Sequence, residues 1–508
     1  QTLRERKRRP SKPLAVMFPS LQMIQEAACV SEAEERMIQS KEHPIVIVKK
    51  KEQCLVPGVA PGIDRIGVFL PYTPLHLLLM EKLQRPIVAT SANRSEEPII
   101  IDADVLIERL GNVVDAVLDH DRAIVNACDD SVVMMTPEQR LTLRMARGYA
   151  PASLPLPFET PKKILALGAN QKNAIALAFG KHAVLSPHIG DLGTVEANEY
   201  FERTVETFER LYDFTPDIVV CDLHPGYETT KWAYQLNMKN EKVKIVQVQH
   251  HYAHALSCMA EAGLDEEVLA FCFDGTGYGM DKVHPAGIHF TANGEAREGA
   301  LGYKVLWGGE VLLADPREYS RICSLRPFRL LGGEKAIREP RRVALALLFE
   351  CFSLEEVLAM ENPTVESFEP AQIKTLHTMW ERGLNAPLCS SVGRLFDAVA
   401  SLTGVAQTLG YEGESGLLLE ATAAKVQVKE KFALGIGERV IDWEPLLRRI
   451  MEEPSKETAA FGLHAALADA IADIATRYPD KEAVLSGGVF QNRTLVTLAI
   501  ERLDAAGI

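Results

Sequence analysis

Apolar positions along this chain fall into two rhythms. Over the first 147 residues, short apolar runs at 13–18, 44–48, 65–70 and 86–90 read as strands. Between them, helical spacing appears over 31–40 and 75–83. This alternation predicts a mixed α/β sheet domain. The rhythm stops where four prolines punctuate the segment from Arg147 to Pro161, which reads as an extended linker. The expected organisation is a first domain over 1–147, a linker over 148–161 and a second domain over 162–508.

The second domain repeats a strand-turn-strand device. The run 163–168 leads through a polar tip into 174–179, and 268–273 leads through Asp274-Gly275-Thr276-Gly277 toward 286–290. Near the end, the strand 483–486 breaks at Gly487-Gly488 before a helix, which lets a nucleotide approach the backbone closely. Two phosphate-facing hairpins and a late glycine pair match the plan of the two-lobed actin-like ATPase fold, in which the lobes clamp ATP.

Composition narrows the function. The chain has 508 residues, 47% hydrophobic and 24% charged, with a net charge of -14. It is too long for one core, and its charge disfavours a nucleic-acid-coating surface. Nine cysteines are scattered without a C-x-x-C pair, as expected of reduced thiols in a cytoplasmic protein. No segment reads as a membrane span or signal peptide.

The chemistry concentrates in 247–279. His250 and His254 are four apart, so on a helix both imidazoles share one face and can bind one divalent metal ion. His251 points about a hundred degrees away and is not expected to be a ligand. The glycines and Thr276 of the D-G-T-G turn offer backbone N–H groups to phosphate. Each signal alone has a bland reading, a satisfied His pair or a simple turn. Together they suggest a nucleotide site beside a metal. In the first domain the strand at 86–90 empties into Ser91-Ala92-Asn93-Arg94-Ser95, at the kind of strand end where α/β sheets bind ligands.

An ordered series of motifs runs through the chain: 57–79, TSANRSEEP (90–98), ARGYAP (146–151), LALGANQKN (165–173), HIGDL (188–192), DLHPGYETTKWA (222–233), QHHYAH (249–254), FDGTGYG (273–279), WGGE (307–310), SSVGRLFDAVA (390–400), YEGE (411–414) and LSGGVFQN (485–492). It resembles the HypF family, the carbamoyltransferases of nickel-iron hydrogenase maturation. The resemblance implies a YrdC-like domain that makes carbamoyl adenylate from ATP and a carbamoyl group derived from carbamoyl phosphate, or carbamate. A TsaD-like domain of the actin-like (ASKHA) fold then passes the group to the C-terminal cysteine of HypE.

On that resemblance Arg9, Lys12 and Arg147 would hold the triphosphate, with Thr90, Ser91 and Asn93 against adenylate or carbamate oxygens. His250, His254 and Asp274 would bind Mg, Zn or Fe. Lys172 and the 275–277 turn would face phosphate, Gly487, Gly488 and Asn492 the adenosine, and Asp397 the ribose. The attacking thiolate comes from the partner, so no cysteine here need be catalytic.

Some features depart from the family. Its acylphosphatase and zinc-finger modules and its final N-D-G-G segment are not in this sequence, and the YrdC-like domain is expected to be incomplete at its start. Asn126, Met134 and Met145 stand where basic residues are expected, and extra sequence between 281 and 307 suggests an inserted hairpin. Three other readings share features of the chain: a tRNA threonylcarbamoyl-adenosine synthesis fusion, an antibiotic O-carbamoyltransferase, and a catalytically silent protein-binding scaffold.

Overall fold

Short β-branched runs become strands wherever their alternate side chains can be covered. A computed structural model describes residues 1–508 except 52–55, 57, 95–96, 137–138, 280–288, 291–295, 298–304 and 429. They form two units, 1–248 and 249–508.

The first unit holds two sheets. Its seven-stranded sheet runs Ile87–Ala89, Ala15–Met17, Arg65–Phe69, Ile45–Lys50, Val132–Met135 and Arg140–Arg144, with Ala28–Cys29 paired to Ile45–Lys50. Parallel and antiparallel neighbours mix, as expected. Helices Glu32–Ile38 and Pro74–Leu83 are those read from the sequence. Ser31 caps the first in a capping box and Thr73 caps the second.

The second sheet is ordered Lys244–Val248, Ile218–Asp222, Ala152–Ala166, Ala176–Leu185. Its last two strands are the expected hairpin with a polar tip. The linker at 148–161 is corrected, because Ala152–Pro155 pair with His182–Leu185 and Thr160 pairs with Gly180. The prolines are tolerated there because the neighbour Ile218–Asp222 reaches only Ile164–Ala166, so no partner among the described residues on that side needs their missing N–H.

The second unit is built on Val268–Tyr278, antiparallel to Leu306–Ala314 and parallel to Ala483–Ser486. All six residues from Val268 to Phe273 are buried, which explains an unbroken apolar run. The expected return strand over 286–290 is a second correction. Its first three residues lie outside the described ones, His289–Phe290 pairs with Ala296–Arg297, and Val268–Tyr278 takes Leu306–Ala314 as its antiparallel partner. The expectation that no segment resembles a membrane span also needs qualification. Among the described residues one helix, Lys456–Ala475, is long and apolar enough, and 72% of its apolar window is buried inside the fold.

Asp397, expected at the ribose, is enclosed by its neighbours. It sits on helix Val392–Leu402 at 0% exposure, 2.8 Å from Arg394 Nη1, and Ser415 Oγ donates to its carboxylate. Burial pushes its carboxyl up to about 6, against the pull of Arg394 and Ser415. A carboxylate so enclosed has no free lone pair facing solvent. Asp397→Ala strands a buried guanidinium and is expected to cost about 3–5 kcal/mol of stability. In a urea titration followed by tryptophan fluorescence its midpoint falls, while nucleotide affinity of the folded fraction stays at the wild-type value.

Candidate functional site

The second unit brings the two histidines and the aspartate together. Gln249 caps helix His250–Ala262, its side chain accepting the Tyr252 N–H at 2.8 Å. The first turn therefore starts at His250, and His254 lies one turn on. Each imidazole Nε2 is 3.5 Å from Asp274 Oδ2, and one ligand atom from each residue lies within 4.8 Å of the others. Ligands around one transition-metal ion stand about 3–4 Å apart at bond lengths of about 2.0–2.2 Å, so the three residues fit a metal ion and leave coordination positions open.

Asp274 is divided between two tasks. Its Oδ1 accepts the N–H groups of Gly275 at 2.8 Å and Gly488 at 3.2 Å, leaving Oδ2 toward the imidazoles. Burial pushes this carboxyl up, but hydrogen bonds from His250 and His254 outweigh it and hold the group well below the usual range. Ser486 Oγ lies 3.3 Å from His254 Nδ1, fixing the ring as outer partners of metal-binding histidines do.

The D-G-T-G segment is corrected from a hairpin turn to a bulge. Val268–Tyr278 is one strand whose pairing with Leu306–Ala314 lapses between Phe273 and Gly277 and then resumes. The bulge sets Asp274, Gly275 and Thr276 out of the ladder. A Cβ on Gly277 would come within 2.4 Å of His251, and one on Gly275 within 3.6 Å of Arg394 and 3.2 Å of Glu412. The motif strings held Arg394 and Glu412, but their inward aim was visible only in the fold.

The late glycine pair backs Asp274. Gly487 has φ of 102°, and a Cβ there would lie 2.2 Å from the Phe273 carbonyl oxygen. Asn492, expected at the adenosine, is turned inward. It is 8% exposed, caps the final helix through the Leu495 N–H, and meets His464 Nε2 at 2.8 Å. His251 is not among the ligand atoms, as expected. It is fully buried, and burial followed by the neighbouring His250 and His254 pushes its imidazole well below the usual range.

In the first unit, Ser91 Oγ donates to Asn93 Oδ1 at 2.7 Å and Asn93 Nδ2 to the Glu97 carbonyl at 2.8 Å, so the turn after strand Ile87–Ala89 is preorganised. Lys7, which sequence reasoning passed over in favour of Arg9 and Lys12, donates to the Ser91 carbonyl at 2.7 Å and to Thr90 Oγ1 at 3.3 Å. Its only sequence signal was its place in the basic run from Arg4 to Lys12. Burial and then Arg9 lower the Lys7 amine to about 8. Lys12 is lowered by loss of solvent and then by Arg9, Arg144 and Lys172, with Asp191 opposing. Lys172 thus stands beside the Lys12 group, at a left-handed tip position (φ 47°) held by Asp191 Oδ1 on its N–H.

Arg147, expected on the triphosphate, is engaged within the unit as a clamp. Its guanidinium meets Asp130 and the carbonyls of Glu42 and His43, each at 2.8 Å, and lies 3.4 Å over the Tyr72 ring. Arg9 Nη2 donates to the Pro13 carbonyl. Met134 is 3% exposed within the sheet, where a charge would lack water.

Comparison with known proteins places these sites in a family. Residues 1–146 match the Sua5, YciO and YrdC family model (described as telomere recombination), 159–261 the HypF Kae1-like domain, and 301–508 the second subdomain of the carbamoyltransferase Kae1-like domain. A carbamoyltransferase HypF of Synechocystis sp. is 40% identical over 100% of this chain and 65% of its own length. A HypF homolog of Cupriavidus necator is 33% identical over 68% of this chain and 85% of its own. A full-length HypF crystal structure in phosphate- and nucleotide-bound form superposes with a TM-score of 0.89 at 35% identity, over 100% of this chain and 64% of that one. The chain therefore spans slightly less than two thirds of full-length HypF relatives. With the three segments matched in order and the fold shared along its whole length, this chain belongs to the HypF carbamoyltransferase family.

Proposed function

We propose that the chain carries two linked reactions: ATP and carbamate give carbamoyl adenylate and pyrophosphate, and a partner thiolate then takes the carbamoyl group, releasing AMP. The partner is HypE, whose C-terminal cysteine becomes a thiocarbamate. The observation that carries this reading is the crowd of cations around Ser91 and Lys12. Burial and Arg9 lower Lys7, and burial with Arg9, Arg144 and Lys172 lowers Lys12, with Asp191 in opposition. Such a cluster is stabilised by a polyanion such as a triphosphate.

Each residue then has a task. The cations hold the triphosphate and offset charge as pyrophosphate leaves. The Ser91-Asn93 turn orients the carbamate oxygens, and Lys7 keeps that turn in place. In the second unit, the bulge at 274–276 presents backbone groups, and Asp274 Oδ2, His250 and His254 hold the metal. When bound, the ion neutralises phosphate and polarises the acyl carbonyl. Two imidazoles with one carboxylate suit Zn or Fe(II) better than Mg.

Pyrophosphate release from ATP with carbamoyl phosphate or carbamate tests the first reaction. Ser91→Ala is expected to slow it about 10- to 100-fold, the worth of one hydrogen bond to a charged group. His254→Ala leaves release intact but abolishes carbamoylation of the HypE thiol. Release only with threonine and bicarbonate would move the chain to tRNA modification, and the absence of release from folded protein would sink the adenylation reading.

Lys7 gives the reaction a pH signature. Its amine, lowered to about 8, is charged below that pH and neutral above it. Apparent ATP affinity is therefore expected to weaken as pH rises through about 8, and Lys7→Met should flatten that limb. A limb unchanged in Lys7→Met would remove Lys7 from the pocket's chemistry.

A further inference from the structure

The W-G-G-E segment has so far found no role, yet its glutamate is a fully enclosed acid one strand from Asp274. Glu310 is 0% exposed. Its Oε2 accepts the N–H groups of Gly308 at 2.5 Å and Gly309 at 2.7 Å. Its Oε1 takes the Ser390 hydroxyl at 2.5 Å and faces Arg321 Nη2 at 3.4 Å. Burying a carboxylate with this many donors is costly to arrange and seldom adds stability over an apolar replacement, so the position calls for another explanation.

The fifth group turned to it supplies one. His251 Nε2 stands 3.7 Å from Glu310 Oε2, longer than a hydrogen bond and without another partner among the described residues, with both side chains at 0% exposure. The hydrogen-bond network fixes the ring's tautomer. Gln249 uses its oxygen on the Tyr252 N–H, so its Nε2 is the donor, to the Tyr278 carbonyl at 3.0 Å and toward His251 Nδ1 at 3.4 Å. His251 Nδ1 is then the acceptor, and its proton is on Nε2, toward the carboxylate.

His251 lies between the two ligand histidines in the first turn of its helix, and Cys272, the cross-strand neighbour of Glu310, donates to the His251 carbonyl at 3.3 Å. On its other side, Glu310 holds Ser390. The next residue, Ser391, grips the Asp274 and Gly275 carbonyls at 2.7 and 2.5 Å.

We propose that Glu310 is a positioning residue of the metal centre, holding the helix that carries His250 and His254 through His251 and the Asp274 bulge through Ser390 and Ser391. It touches neither metal nor substrate. The inference rests on the metal reading of His250, His254 and Asp274.

Cobalt(II) titration of the whole chain, read by its visible absorption and by competition with a chelator, tests it. Glu310→Gln is expected to weaken cobalt binding roughly 10- to 100-fold, the usual effect of losing an outer-shell partner, and to shift the absorption band. A purely structural role would instead lower the thermal midpoint of the metal-free protein and leave the affinity and spectrum of the folded fraction unchanged. Because the glutamate acts through the imidazole, the effect of Glu310→Gln should shrink to less than half in a His251→Gln background, as coupled residues do in a double-mutant cycle.

Ser390→Ala, a smaller change that keeps the carboxylate, should weaken binding a few-fold by the loss of one hydrogen bond, and it carries the test if Glu310→Gln does not fold. Wild-type affinity and spectrum in Glu310→Gln, or in Ser390→Ala if the former is unfolded, would overturn the positioning role alone, as would strictly additive losses in the cycle. A wild-type chain that takes up no cobalt would overturn the metal reading and this inference with it.

Discussion

The second unit depends on how one carboxylate is held. Asp274 sits where the fully buried run of its strand ends, after Phe273, and there an ionised group is costly unless its oxygens are matched. Two backbone N–H groups take Oδ1, from Gly275 and Gly488, and two imidazoles face Oδ2. That demand explains the local sequence. The strand must bulge to free residues 274–276 from the ladder, and Gly488 must lack a side chain because a Cβ there would come 2.8 Å from Asp274 Oδ1. Gly308 and Gly393 must also be bare, since Cβ atoms there would approach the Asp274 carbonyl oxygen at 2.8 and 3.0 Å. Glycines scattered over more than two hundred residues thus make room for a single residue.

The parts of this site legible in the sequence were those with short spacing. His250 and His254 follow from helical geometry alone, and the 268–273 run from its apolarity. The partners of these elements were harder to see. Val268–Tyr278 pairs across an interval that includes the extra sequence before Trp307, so the sequence points to the nearer run at 286–290 as its mate and to a turn where the bulge lies. Likewise Asp397 and Asn492 look like exposed polar residues in a string, and only tertiary packing turns them inward to Arg394 and His464. The prolines of 151–161 marked a break in periodicity but not a linker, because a strand edge without a partner tolerates them.

Lys7 and Glu310 show a second limit. Neither has a local signature. Lys7 is one cation in a basic run, and its contact with Ser91 spans more than eighty positions. Glu310 follows two glycines whose function is to donate N–H groups to it and to let Asp274 and Ser390 approach. A motif string contained Glu310 but not Lys7, and a string does not say which side chains converge. The sheet order and the general mixed α/β plan were easier, because each strand declares itself through its own alternation and its own caps.

The cysteines bear on where the acyl acceptor comes from. Cys272 lies two residues before Asp274, nearer the proposed transfer site along the chain than any other thiol. Burial, followed by Glu310, pushes it well above the usual thiol range, and its Sγ is engaged with the His251 carbonyl. Cys389, next to the Ser390-Ser391 pair, is fully buried and raised to about 12 by burial. Only thiolates attack acyl groups at useful rates, so these two thiols are held in a form that cannot intercept a carbamoyl group. A centre that handles an activated acyl intermediate beside its own cysteines has to silence them, and burial in the strand and its neighbours does so without removing the residues. On the proposed reading, this leaves the reaction to a thiolate that arrives from outside the chain.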